Sequence, residues 1–249
     1  MKKWLTYEEV QKGISHLNNH YEIDEERYYS VIEKWANSEN SADKMLKGAF
    51  LELLQGVSDE INDMNEASNM KPTCRLGCAF CCYFPIIVNG MEAKLMVEAI
   101  EDMPVERRNE LINHLQQYFV NYEEQIKEAT SLDFEEDPHF KKKYIQKQLP
   151  CPFLDTQSNV CLAYEARPIP CRTYVNYTNP EVCEKEFMPK ETLSYEFLYH
   201  EYMGPLNELA QYLFEQGDTG KVQYPNDVYE HNYLPVWLKN WIEEKGNEA

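Results

Sequence analysis

Apolar side chains in the first seventy residues recur at three- and four-residue spacing, and polar residues suited to capping break the stripe into three helices. Thr6-Tyr7-Glu8-Glu9 has the form of a capping box, and Val10, Ile14 and Leu17 follow on one face. Asp24 can cap a second helix carrying Tyr28, Val31, Ile32 and Trp35. Ser41 can cap a third, in which Met45, Leu46, Phe50, Leu53, Leu54, Val57, Ile61 and Met64 form a stripe expected to face the core.

The helical pattern stops between Lys71 and Phe84, where Pro72 and Gly77 mark irregular backbone. Asn89 then caps a helix through about Met103. Pro104 suits the first turn of another running toward Ala129, and Asp137-Pro138 opens a shorter one. From Pro150 to Cys183 the pattern changes again. Cys151-Pro152-Phe153-Leu154 and Val160-Cys161-Leu162-Ala163-Tyr164 flank the polar turn Asp155-Thr156-Gln157-Ser158-Asn159, which predicts a small hairpin. A helical stretch is expected from about Lys190 to Gln216, kinked near Gly204-Pro205, and a last helix carries Trp237, Leu238, Trp241 and Ile242. The expected fold class is mainly α: a helical single domain over residues 1–249. Within it an irregular cysteine-rich metal-binding core spans 71–183, with a helical insertion at 89–148 and a small β-hairpin.

Composition narrows the partners. The net charge is −19, which opposes a phosphate-backbone partner, because nucleic-acid binding needs a basic stripe. The short run Lys141-Lys142-Lys143 reads as a solvated helix face. No apolar stretch follows Lys2 and Lys3 at the N-terminus, and no run reaches the length of a membrane span, so neither secretion nor a membrane is expected. The expected location is the reducing cytoplasm, where stable disulfides are rare.

Eight cysteines then carry the chemistry. Cys74, Cys78, Cys81 and Cys82 place four thiols within nine residues, and Cys151, Cys161, Cys171 and Cys183 supply four more. Metals bind the thiolate, and close thiolates repel one another unless a cation offsets their charge, so all eight are candidate metal ligands. Cys78 and Cys81 have the C-x-x-C spacing that lets one turn present two sulfurs to one centre. The adjacent Cys81 and Cys82 do not readily chelate one tetrahedral ion, because neighbouring side chains diverge. They favour a multinuclear centre, although two zinc sites of four cysteines each fit the count. Cys74-x-x-x-Cys78-x-Phe80-Cys81 also matches the triad of radical SAM enzymes, but the strand–helix alternation of that barrel is missing.

Together the segments resemble the CxxCxxCC cysteine-cluster family (YkgJ-like), a zinc- or iron-chelating domain. The resemblance rests on Cys74-x-x-Gly77-Cys78-x-x-Cys81-Cys82, on Cys151-Pro152-Phe153-Leu154, and on Cys161-x-x-Tyr164-Glu165-x-Arg167-Pro168-x-x-Cys171-Arg172, over roughly residues 71 to 175. It implies a metal on these cysteines, and Cys183 lies beyond the matched core. The family includes flagellin lysine methylases, which look like iron–sulfur enzymes using S-adenosylmethionine. The resemblance therefore implies an iron–sulfur cluster, of the 4Fe-4S type first and zinc otherwise, and admits S-adenosylmethionine as a cofactor and a protein or peptide amine as substrate. A non-enzymatic zinc- or iron-binding module is the alternative.

Arg167 and Arg172 flank Cys171 and can either lower thiol pKa values or pin the loop through Glu165 or Asp155. Tyr164 reads as a core aromatic. None of His16, His20, His114, His139, His200 and His231 has metal spacing to a cysteine, and His200, beside Glu196, Glu201 and Tyr202, is the one to watch. The tyrosines of the C-terminal third, among them Tyr195, Tyr199, Tyr202, Tyr212, Tyr224, Tyr229 and Tyr233, read as core packing rather than a groove. Cys78 and Cys81 rank as the most damaging cysteines to lose, and Cys183 as the mildest.

Overall fold

The computed structural model describes residues 4–248; Lys2 and Lys3 lie outside this range. The chain opens on the three expected helices, α1 (Tyr7–His20), α2 (Glu25–Ala36) and α3 (Ala42–Ala67). Thr6 closes its capping box: its hydroxyl accepts the Glu9 N–H at 3.3 Å and its own N–H donates to Glu9 Oε2 at 2.7 Å. Asp24 Oδ1 accepts the Arg27 N–H at 3.3 Å. Ser41 occupies the N-cap of α3 without a side-chain bond. The apolar stripe of α3 is buried from Leu46 to Met64.

Next come β1 (Ile87–Asn89), α4 (Gly90–Glu101), α5 (Val105–Asn121), α6 (Glu123–Thr130) and α7 (Phe140–Gln146). The hairpin strands are β2 (Leu154–Asp155) and β3 (Val160–Cys161). After them come α8 (Ile169–Thr173), β4 (Tyr174–Asn176), α9 (Glu181–Lys185), β5 (Thr192–Ser194), α10 (Leu198–Glu215), α11 (Asn226–Tyr229), β6 (His231–Tyr233) and α12 (Leu234–Glu248). The fold is mainly α. The strands pair only as short antiparallel couples, β1 with β6, β2 with β3 and β4 with β5.

The main core is continuous from Val10 in α1 to Trp241 in α12. In it α10 packs on α2 and α3, with Phe50 and Tyr202 meeting edge-on at 6.2 Å. A smaller core lies under the insertion, where Tyr118, Ile126, Tyr144 and Leu149 surround Tyr233. Most C-terminal tyrosines pack as expected: Tyr195, Tyr202 and Tyr233 are buried, whereas Tyr212 and Tyr229 face outward.

Two stretches depart from the helical expectation. The helix from Pro104 is divided at Tyr122, whose backbone leaves the helical region while its ring packs 5.1 Å from that of Tyr118 in the smaller core. Residues 192–194 form β5 rather than the start of a helix, because they pair with β4 in the register Tyr174↔Ser194, Val175↔Leu193 and Asn176↔Thr192.

The cap of α4 carries a pH-dependent term. Asn89 Oδ1 accepts the Glu92 N–H at 2.8 Å, and Glu92 Oε2 accepts the Asn89 N–H at 3.2 Å and the Tyr199 hydroxyl at 3.4 Å. Glu92 is buried, and desolvation pushes its carboxyl from 4.5 up to about 7. The folded state then binds a proton more tightly than the unfolded chain. This contribution is complete below about pH 4.5 and is lost as pH rises through about 7. Glu92→Gln is expected to flatten the stability profile across that window, by up to about 3 kcal/mol at pH 8. Urea unfolding at pH 5 and pH 8 would check this, and an unchanged pH slope would contradict it.

Candidate metal centre

The first cysteine segment is tied to the fold by Thr73, whose N–H and hydroxyl donate to the Asn176 carbonyl at 2.8 and 3.1 Å. It then turns. The Cys78 N–H donates to the Arg75 carbonyl at 2.9 Å, and Gly77 takes a φ of +83°, a left-handed conformation that a side chain would strain. Residues Phe80–Tyr83 form one 3₁₀ turn. At three residues per turn, Cys81 and Cys82 leave the axis in different directions, yet their sulfurs remain within hydrogen-bond reach.

The second segment docks directly onto the first, where the Cys151 N–H donates to the Cys82 carbonyl at 2.7 Å. Tyr118 and His114 of α5 support that junction: the Tyr118 hydroxyl donates to the Pro150 carbonyl at 2.8 Å, and His114 Nε2 lies 3.0 Å from the Pro152 carbonyl oxygen. The hairpin forms as expected, with Leu154 opposite Cys161 and Asp155 opposite Val160. Cys171 stands on α8, and Cys183 on α9, which packs against the 3₁₀ turn. The excursion that carries α9 is pinned at its base by the β4–β5 pair.

All eight cysteines are free thiols. Cys74, Cys78, Cys81 and Cys183 border a cavity of about 110 Å³. Asn176 donates to two of them, through its N–H to Cys74 Sγ at 3.4 Å and through Nδ2 to Cys183 Sγ at 3.6 Å. Cys151, Cys161 and Cys171 form a second group around the hairpin and α8 and pack against the main core. Cys81 lies between the groups and feels charge from both sides. Among the described residues, no three His, Cys, Asp or Glu side chains already stand in metal-binding geometry.

The electrostatics of the cysteines suit a bound cation. Burial pushes the Cys74, Cys78, Cys151 and Cys161 thiols up, and takes Cys171 and Cys183 up to about 12. The Cys82 hydrogen bond and then burial raise Cys81. Opposing this, the sulfurs of Cys78, Cys151 and Cys161 each face the backbone N–H two residues onward, at Phe80, Phe153 and Ala163. Those donors favour thiolate. The Arg167 charge acts on Cys81, Cys161 and Cys171, and its buried Nε has no partner among the described residues. A buried donor left unpaired costs about 1–3 kcal/mol, and an anionic sulfur shell would satisfy it. Eight soft donors, amides aimed at them and this orphaned guanidinium N–H together suit a thiophilic metal.

Residues 73–191 match the family model CxxCxxCC, described as a putative zinc- or iron-chelating domain. That segment, a little under half of the chain, is similar to a CxxCxxCC domain. No curated protein and no solved structure matches the chain. The match reaches past Cys183, and Cys183 borders the same cavity as Cys74, Cys78 and Cys81. The two arginines divide their tasks. Arg172 pins the CxxCxxCC loop through the backbone carbonyls of Arg167 and Glu165 and through Ser58, while the Glu165 carboxylate pairs with Arg107 at 3.0 Å. Asp155 is occupied within its own turn by Gln157 and Ser158. Tyr164 is half exposed rather than a core aromatic, because its ring carries the Arg167 guanidinium at 4.0 Å. His200 is exposed on α10, its ring edge-on to Tyr199. Asn176, Tyr118 and His114 were not legible as part of the site, since their neighbours lie far away in sequence. No helix among the described residues is long and apolar enough to cross a membrane.

Proposed function

We propose that the CxxCxxCC domain holds iron–sulfur chemistry on its cysteines and that the protein is an enzyme. One observation carries this reading: two groups of free thiols lie on either side of Cys81, and one of them borders a cavity. A closed four-thiolate zinc site has no need of such an opening. When bound, an iron–sulfur group can take up electrons or offer an iron to a ligand. The chain's own residues would supply the thiolates, the N–H donors of Asn176 and the charge of Arg167.

Methyl transfer from S-adenosylmethionine to a protein or peptide amine fits the cavity's chemistry. Phe84, Tyr174 and Phe187 offer aromatic faces, and Glu184 and Glu186 add carboxylates. Both favour a cation, whether a sulfonium or an ammonium, and the net charge of −19 favours a lysine-bearing partner. The sulfonium's methyl would pass to the amine nitrogen, releasing the thioether and one proton. Unpaired thiols in this number suit a reducing cytoplasm.

Protein purified without oxygen is expected to be brown and to contain iron and sulfide. Colourless protein with stoichiometric zinc would support the zinc-binding, non-enzymatic alternative instead. Added S-adenosylmethionine is expected to perturb the visible spectrum; an unchanged spectrum and no binding by calorimetry would remove the methyl-transfer reading.

A further inference from the structure

We infer that the eight thiols form two metal centres of unequal accessibility: an inner one on Cys82, Cys151, Cys161 and Cys171, and an outer one on Cys74, Cys78, Cys81 and Cys183. This rests on the metal-binding reading and adds the number of centres, their ligands and their different roles.

Two independent observations divide the sulfurs. The first is packing. Cys151, Cys161 and Cys171 pack against the main apolar core, and their immediate neighbours Phe153, Leu154, Ala163, Ala166 and Ile169 are all buried. Cys74 is exposed, and Cys74, Cys78, Cys81 and Cys183 all border the cavity. The second is the backbone that holds each group. The outer sulfurs sit on the Gly77 turn, the 3₁₀ turn and α9, gathered by Asn176. The inner sulfurs sit on the hairpin and α8, and the Cys82 residue joins them through its carbonyl bond to the Cys151 N–H.

The 3₁₀ turn at Phe80–Tyr83 is the partition. Consecutive residues on such a turn point about 120° apart; of the pair, Cys81 borders the cavity and Cys82 does not, and the Cys82 backbone meets Cys151 through its carbonyl. Four thiolates on each side then satisfy one tetrahedral ion or one four-iron cubane each. The inner centre stabilises the fold as a structural site does, since its ligands are part of the core. The outer centre exchanges its metal with solution more readily, since the cavity lets small molecules approach its thiolates.

Zinc can test the division without any assumption about the native metal. Full-length protein, prepared anaerobically with excess zinc and then desalted, is expected to retain two zinc ions per chain. EDTA is expected to withdraw them in two separate phases, with helical circular dichroism unchanged after the first. Cys183→Ser and Cys74→Ser should each abolish the fast phase and keep one ion and the helical signal. A single release phase, or loss of both ions in Cys183→Ser while the chain stays folded, would overturn the division but leave metal binding intact. Protein that takes up no metal at all would overturn the underlying reading, and the division with it.

Discussion

Cys171→Ser is expected to abolish metal binding at the inner group and to unfold the protein at 37 °C. Cys171 lies on α8, against the main core, between Arg167 and Arg172. Structural thiolate sites contribute about 10–16 kcal/mol of metal-binding free energy. Whole domains are stable by only about 5–15 kcal/mol, so losing that contribution consumes the margin. Serine also leaves a hydroxyl where burial holds a thiol protonated, up to about 12, in the absence of a cation. Metal analysis and a circular-dichroism melt would measure the outcome. A folded variant that still carries its full metal complement would show that Cys171 is not a ligand. Spacing alone ranks Cys78 and Cys81 as the most damaging losses, but packing moves the largest effect to the second segment.

Arg172→Ala is the next largest expected change. The guanidinium reaches three acceptors: Nε donates to the Arg167 carbonyl at 2.9 Å, Nη1 to Ser58 Oγ at 2.7 Å and Nη2 to the Glu165 carbonyl at 2.6 Å. Burial pulls its pKa down to about 10, which leaves it charged at neutral pH. Truncation would strand two loop carbonyls and the α3 hydroxyl, at a cost of about 3 kcal/mol. For a chain of this size that lowers the melting temperature by about 6–12 °C. Arg172→Lys should not rescue it, because one ammonium cannot span a fork that serves three separate acceptors. Thermal melts of both variants would test this; a lysine variant as stable as the native chain would show that charge, rather than the fork, holds the loop.

Sequence reasoning succeeded where the cause was local. The caps at Thr6, Asp24 and Asn89 lie within one helical turn of the amides they satisfy. The Asp155–Asn159 turn needs only its own residues, with Asn159 at a φ of +57°. It failed where the cause was distant. β1 and β6 pair Ile87 with Tyr233, and a three-residue strand is too short to show alternation. Cys183 looked peripheral because Cys74 and Asn176 reach it only after β4 and β5 have closed the intervening excursion. Tyr164 looked apolar enough to bury, but an arginine three residues on gave its ring a cation to face instead.

The clasp between Cys82 and Cys151 also has a bearing on biogenesis. A ribosome extends the chain at about 5–20 residues per second, so the hundred or so residues from Cys74 to Cys183 take about 5–20 s to emerge. During that interval the first four sulfurs exist without their partners, exposed to oxidants and to whichever metal is most available. On the proposed assignment neither group is complete until Cys171 and Cys183 have emerged, so full loading follows the second segment, and the early sulfurs depend until then on the thiol-reducing power of their surroundings.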